Sequence, residues 1–209
     1  VILKPFSKFM IKAIDKIRPL PIATICPGHG PILRTHWKKY VDLSEKYAKE
    51  ALSLGEKPMV FIPYVSAYHN TSAVAEAIAK GVSEVPGVHV EIHDIENMSL
   101  EHMEYYLSNC TGLLIGSPTI NQNILMPVYQ LFAAINPLRD KGKLASSFGS
   151  YGWSGEAEKM LETNITNLKL KYYGESLYIK FTPHEEGISK GIAFGKAFAE
   201  QMLKELAAE

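Results

Sequence analysis

Three stretches of this chain carry the residue types of a cofactor site. The first, Ser66-Ala67-Tyr68-His69-Asn70-Thr71, lies between the apolar run 59–62 and the helix-patterned run 72–82. A hydroxyl-rich loop that leaves a buried strand and opens a helix can hold a phosphate, because backbone N–H groups converge there and the helix N-terminus is partially positive. No Lys or Arg occurs from Tyr64 to Ala79, so amides and hydroxyls would hold the anion alone. The second stretch, Gly116-Ser117-Pro118-Thr119-Ile120-Asn121-Gln122-Asn123, is uncharged and can hydrogen-bond the heteroatom edge of a flat polar ring. The third, Gly149-Ser150-Tyr151-Gly152-Trp153-Ser154-Gly155, combines close backbone approach with the flat faces of Tyr151 and Trp153. Phosphate cradle, ring-edge partners and aromatic wall together describe a site for flavin mononucleotide (FMN).

The elements that must position these loops alternate. Strands are expected at 59–62, 88–93, 113–115, 143–148 and 177–181, and helices at 72–82, from Ser99, at 127–135, from Ser154 and from Thr182. The run 113–115 is apolar without alternation, as in a parallel strand buried on both faces. Ser99 is placed to cap its helix, and Thr182-Pro183-His184-Glu185 has capping-box spacing with Pro at the first helical position. Five strands alternating with five helices predict a doubly wound parallel sheet with helices on both faces. Ligands of such sheets bind beyond the strand carboxyl ends, where all three stretches fall.

Residues 1–36 read as a smaller unit: an amphipathic helix over 1–18, an apolar strand over 22–26, then Pro27-Gly28-His29-Gly30-Pro31. A charged helix over 37–54, closed by Gly55, connects it to the rest. The chain begins at Val1 with an apolar helical face that needs cover, so it is expected to be a section of a longer protein. The 209 residues carry 22 basic and 22 acidic side chains, which gives no electrostatic reason to expect nucleic acid or an anionic membrane surface. No apolar run reaches the length of a membrane span and no signal peptide is recognisable. Cys26 and Cys110 form neither a CxxC pair nor a disulfide framework, which suits reduced thiols in a cytoplasmic protein.

The same stretches resemble a known family. Residues 66–71, Gly116-Ser117-Pro118-Thr119 and Ser150-Tyr151-Gly152-Trp153-Ser154-Gly155 are similar to the flavodoxin-like domain of flavodiiron proteins (A-type flavoproteins), and Cys26-Pro27-Gly28-His29-Gly30-Pro31 to the end of that family's metallo-β-lactamase-like domain. The resemblance implies a flavodoxin-like five-stranded sheet of order 2-1-3-4-5 over 57–209, a connecting helix over 37–56 and a metallo-β-lactamase-like remnant over 1–36. It implies that Ser66, Tyr68, His69, Asn70 and Thr71 wrap the FMN phosphate. Ser117, Pro118, Thr119 and Asn121 would contact the flavin, with Ser150, Tyr151, Gly152 and Trp153 on its other side. It makes His29 the last histidine ligand of a non-haem diiron site. In the whole parent protein, the resemblance implies electron transfer from FMN to diiron, reduction of O2 to water or NO to N2O, a donor such as rubredoxin or a flavin- or NADH-linked reductase, and a head-to-tail homodimer.

The HxExDH-type cluster that would supply the other diiron ligands is absent from this sequence. His89 and His93 do not replace it, since four residues of strand span about 13 Å. This chain alone is therefore expected to carry flavin without the O2 or NO chemistry. A phosphoacceptor receiver is excluded because the ends of strands one and three lack its carboxylates. A Rossmann dinucleotide site at Gly28-His29-Gly30 fails because Leu33 occupies the third glycine position. A free-standing flavodoxin-like carrier or a flavin-dependent quinone reductase remains the alternative, with residues 1–36 speaking against it.

Overall fold

The computed structural model describes residues 6–52 and 57–208, which fall in two compact units divided between Leu54 and Gly55. In the first unit, helix α1 (Ser7–Ile17) packs on α2 (Trp37–Leu52), and Arg18 at the end of α1 reaches Asp42 at 3.1 Å and also Glu45. Residues 22–26 are not the expected strand. Only Ile25 pairs, in an antiparallel bridge with Leu33, because the Pro27–Pro31 turn folds the segment back on itself. The expected helix start before Phe6 and the Gly55 cap lie outside the described residues.

The second unit is a parallel sheet between two helical layers. Strands β1 (Met59–Tyr64), β2 (His89–Asp94), β3 (Gly112–Gly116), β4 (Leu144–Tyr151), β5 (Lys171–Tyr172) and β6 (Leu177–Lys180) alternate with α3 (Asn70–Ser83), α4 (Leu100–Asn109), α5 (Met126–Ala134), α6 (Pro137–Asp140), α7 (Glu156–Asn167) and α8 (Glu185–Leu206). The order β2-β1-β3-β4-β5 is the one expected, with every pairing parallel. The fifth position, however, is filled twice. β5 pairs the start of β4 at Leu144 and Ala145, and β6 pairs its end from Phe148 to Tyr151. That second pairing extends β4 three residues beyond the expected end, so Gly149, Ser150 and Tyr151 belong to the strand.

Alternation along the strands sorts the core by face. Phe61, Leu113, Ile115 and Ala145 meet α4, α5 and α7, while Val60, Ile62, Leu114 and Phe148 meet α3 and α8. Ser99 accepts from the His102 N–H as the expected cap of α4. Thr182 does not cap α8: His184 occupies that position, and its N–H donates to the Thr182 carbonyl instead.

The contact between α3 and α8 depends on glycines. A Cβ on Gly195 would lie 2.1 Å from the Ile78 carbonyl oxygen, and one on Gly81 1.9 Å from that of Ile192. Both obstacles are helix backbone, so the helices themselves would have to separate. Gly195→Ala gains helix propensity of about 1 kcal/mol, but overpacking costs about 1–3 kcal/mol. A net loss of up to about 2 kcal/mol is expected, read as a lower urea midpoint with unchanged slope.

Candidate flavin site

The carboxyl ends of β1, β3 and β4 flank the point where strand order reverses, and a pocket of about 500 Å³ opens there. The sheet's hydrogen bonding continues into the loops and holds them. The Val65 N–H donates to the Gly116 carbonyl at 3.1 Å, Ser117 N–H to Phe148 at 3.1 Å, and Thr119 N–H to Ser150 at 3.0 Å. The buried hydroxyls of Thr71 and Ser150 lie 2.9 Å apart, joining the first loop to the third.

In the first loop, His69 is left-handed (φ 61°) at the N-cap of α3 and gives the helix no side-chain cap. Ser66 instead accepts from the Ser72 N–H at 3.1 Å, and the Ser72 hydroxyl donates to the His69 carbonyl. Tyr68 and Asn70 line the pocket, whereas Thr71 is buried behind it. Ser66 and His69 therefore shape the turn from its rim.

The second loop is a tight hairpin. Ile120 and Asn123 exchange both backbone hydrogen bonds at 3.0 Å, and Asn121 and Gln122 between them have φ of 52° and 56°. This is the twist of a two-residue type I′ turn, made here without glycine. Pro118, Thr119, Ile120, Asn121 and Gln122 face the pocket. Ser117 does not. Its hydroxyl is fully buried, donating to the Pro118 carbonyl and accepting from the Leu125 N–H, so it supports the loop from within. The Thr119 hydroxyl similarly accepts from the Ala157 N–H at the start of α7.

The third loop presents Ser150, Tyr151, Gly152 and Trp153 together, with Ser154 beside them. The Trp153 side chain is 92% exposed and Tyr68 80%. Large aromatic side chains left so open at one pocket mark a surface that binds something. A fourth strand end adds Phe181, which the sequence reading missed. Its ring meets Trp153 edge-on, with centroids 6.2 Å apart and planes at 77°. Phe181 is left-handed (φ 60°), a conformation that costs a residue other than glycine about 1–3 kcal/mol. Ile120, Gln122 and Ser154 are further lining residues outside the expected set; only their place in the quoted loops hinted at them.

The donor set suits a phosphate-bearing flavin. No carboxylate lines this pocket, the N-cap residue His69 gives α3 no side-chain bond while Ser66 takes only the Ser72 N–H, and amides and hydroxyls surround flat aromatic faces. A second cavity of similar size shares Tyr151, Trp153 and Ser154 with the first, but Glu158 and Tyr178 line it. A carboxylate there repels a phosphate, and burial pushes the Tyr178 hydroxyl far above its ordinary value, so that it stays neutral. The lining of the first pocket fits a phosphate-bearing flavin better. His29 lies in the other unit, and no group of three His, Cys, Asp or Glu that could hold a metal occurs among the described residues. His89 and His93 also stand apart from the pocket, each bonding a different oxygen of Glu91 on β2.

Residues 62–195 match the flavodoxin family. The chain belongs to that family. Beyond it, the chain is similar over almost its whole length to one half of larger flavodiiron proteins. It is 35% identical to the type A flavoprotein FprA of Rhodobacter capsulatus, over 96% of this chain and 47% of that protein. It is 33% identical to the flavo-diiron protein FprA2 of Clostridium acetobutylicum, over 96% and 50%. Among solved structures, rubredoxin:oxygen oxidoreductase from Desulfovibrio gigas superposes with a TM-score of 0.76 at 26% identity, over 98% of this chain and 51% of that one. The chain thus spans about half the length of the relatives it matches. The flavodoxin-like fold and the resemblance to flavodiiron proteins stand on these findings together.

Proposed function

We propose that residues 57–209 hold FMN as the electron-transfer domain of a flavodiiron oxidoreductase. Residues 1–36 are then a remnant of its metallo-β-lactamase-like domain, and 37–56 the connecting helix. The observation that carries this reading is the convergence of a cation-free phosphate turn, an amide-lined hairpin and an exposed indole at one sheet's switch point. In it, N–H groups at the start of α3 and side chains of the 66–71 turn hold the phosphate. Asn121 and Gln122 meet the polar ring edge, and Tyr151 and Trp153 cover its faces. Bound FMN supplies reversible one- and two-electron redox chemistry, which this chain's residues orient and shield from water.

The similarity to flavodiiron relatives covers 96% of the chain and so most of residues 1–54, which a free-standing carrier or quinone reductase would not need. The parent protein would be a cytoplasmic, head-to-tail homodimer that takes electrons from rubredoxin or a flavin- or NADH-linked reductase. It would reduce O2 to water or NO to N2O at a diiron centre to which this chain contributes His29. No helix among the described residues is long and apolar enough to cross a membrane.

The test is to titrate purified chain with FMN and follow the visible spectrum, identifying any co-purified flavin by mass. Stoichiometric binding with a perturbed flavin spectrum is the expected result. A colourless chain indifferent to added FMN would end the reading.

A further inference from the structure

We infer that Phe181 is a positioning residue for the flavin wall: its ring braces Trp153, so that the indole is already ordered when the flavin arrives. This inference rests on the FMN reading of the pocket. Three observations carry it.

The first is the placement of Phe181. It directly follows the last paired residues of the sheet, Tyr151 and Lys180, and its N–H donates to the Tyr151 carbonyl at 2.7 Å. The flavin wall and its brace therefore leave the sheet from neighbouring strands, β4 and β6. The second is the conformation. A phenylalanine is held left-handed with more than half of its surface in water, so folding gains little burial in return for the strain. Strain held at a pocket without a packing reason points to a role in that pocket.

The third is the contact itself. Trp153 is almost fully exposed, and its described ring contact is with Phe181. Gly152 leaves room for it, since a Cβ there would lie 3.3 Å from Phe181 Cε1. The Lys180 ammonium sits 5.7 Å from the centre of the Phe181 ring, a cation–π distance that helps keep the brace in place. An indole free to change rotamer loses that freedom on stacking against a ligand, and a brace removes the loss beforehand.

Fluorescence titration of the full chain with FMN tests this. Phe181→Gly removes ring and strain together. Its Kd should rise three- to tenfold, while the thermal midpoint of the FMN-free chain does not fall. Phe181→Asn, which also accepts a left-handed backbone, repeats the measurement should the glycine variant fold poorly. Phe181→Tyr keeps the ring and should restore wild-type affinity. In a Trp153→Ala background, Phe181→Gly should weaken binding no further, because the brace acts through the indole. An unchanged Kd for Phe181→Gly, or the same loss with and without Trp153, would overturn the inference while leaving the functional reading intact. Wild-type chain that does not bind FMN would overturn both.

Discussion

Asp140→Ala is expected to destabilise the chain by about 3 kcal/mol, the lower end of the range for removing one partner of a buried ion pair. Asp140 is 1% exposed and receives Arg139 at 2.7 and 2.8 Å, Lys143 at 2.8 Å and the Asn136 N–H at 2.9 Å. Burial opposes its ionisation, but the Arg139 hydrogen bonds and the Lys143 charge prevail and hold the carboxyl below its usual range. Its removal strands two cations whose side chains are only 9% and 13% exposed. Arg139 keeps Glu104 at 3.5 Å and Lys143 keeps the Leu107 carbonyl, which limits the loss. For a chain of this size, about 3 kcal/mol lowers the thermal midpoint by about 6–12 °C.

The same pair gives this prediction a pH signature. The folded-state carboxyl ionises below its unfolded value, so its contribution is complete above the ordinary carboxylate value of about 3.9. It drains away as pH falls through the depressed folded value. Urea midpoints of wild type and Asp140→Ala should therefore differ most near neutrality and converge in acid. A gap that persists unchanged at pH 3 would mean that the charge is not what stabilises the cluster. Asp140 lies before the first residue of β4 and the pocket at its last, so FMN affinity of the folded variant should be unaffected.

The parts of this molecule legible in the sequence are those governed by local pattern. The apolar runs of β1 and β3, the Ser99 cap and the Gly-Trp-Ser-Gly turn each declare themselves within a few residues. Features that depend on a distant partner do not. β4 continues through Tyr151 because β6 pairs with it, yet Gly149 and Gly152 make that stretch look like a loop. Residues 22–26 have strand composition, but among the described residues they find only a one-residue bridge. Gly81 and Gly195 read as weak helix positions until α3 and α8 are seen to meet there.

The candidate site divides the same way. Tyr68, Asn70, Asn121 and Trp153 could be named because their loops follow recognisable strands. Ser117 was legible as part of the site but not as a buried support, since the sequence does not say which way a hydroxyl turns. Phe181 carried only the signal of ending the expected strand 177–181: its left-handed backbone and its approach to Trp153 arise only when β6 closes the edge of the sheet.

Trp153→Ala is expected to weaken FMN binding by about 5- to 150-fold while leaving the FMN-free chain as stable as wild type. Stacking a flat heteroaromatic ring on an aromatic side chain contributes about 1–3 kcal/mol when measured by alanine substitution, which corresponds to that loss. The indole is 92% exposed and its described ring contact is the edge-on one with Phe181, so its truncation removes little packing from the folded chain. A surface change of this kind moves stability by less than about 0.5 kcal/mol. Affinity and stability should therefore separate, the reverse of Asp140→Ala. Flavin fluorescence gives a second readout, because a stacked indole quenches it and the variant's residual complex should be brighter. If the variant binds FMN with wild-type affinity and equal quenching, the flavin does not lie against Trp153. The same result would exclude the cavity lined by Trp153, Glu158 and Tyr178, since it shares the indole.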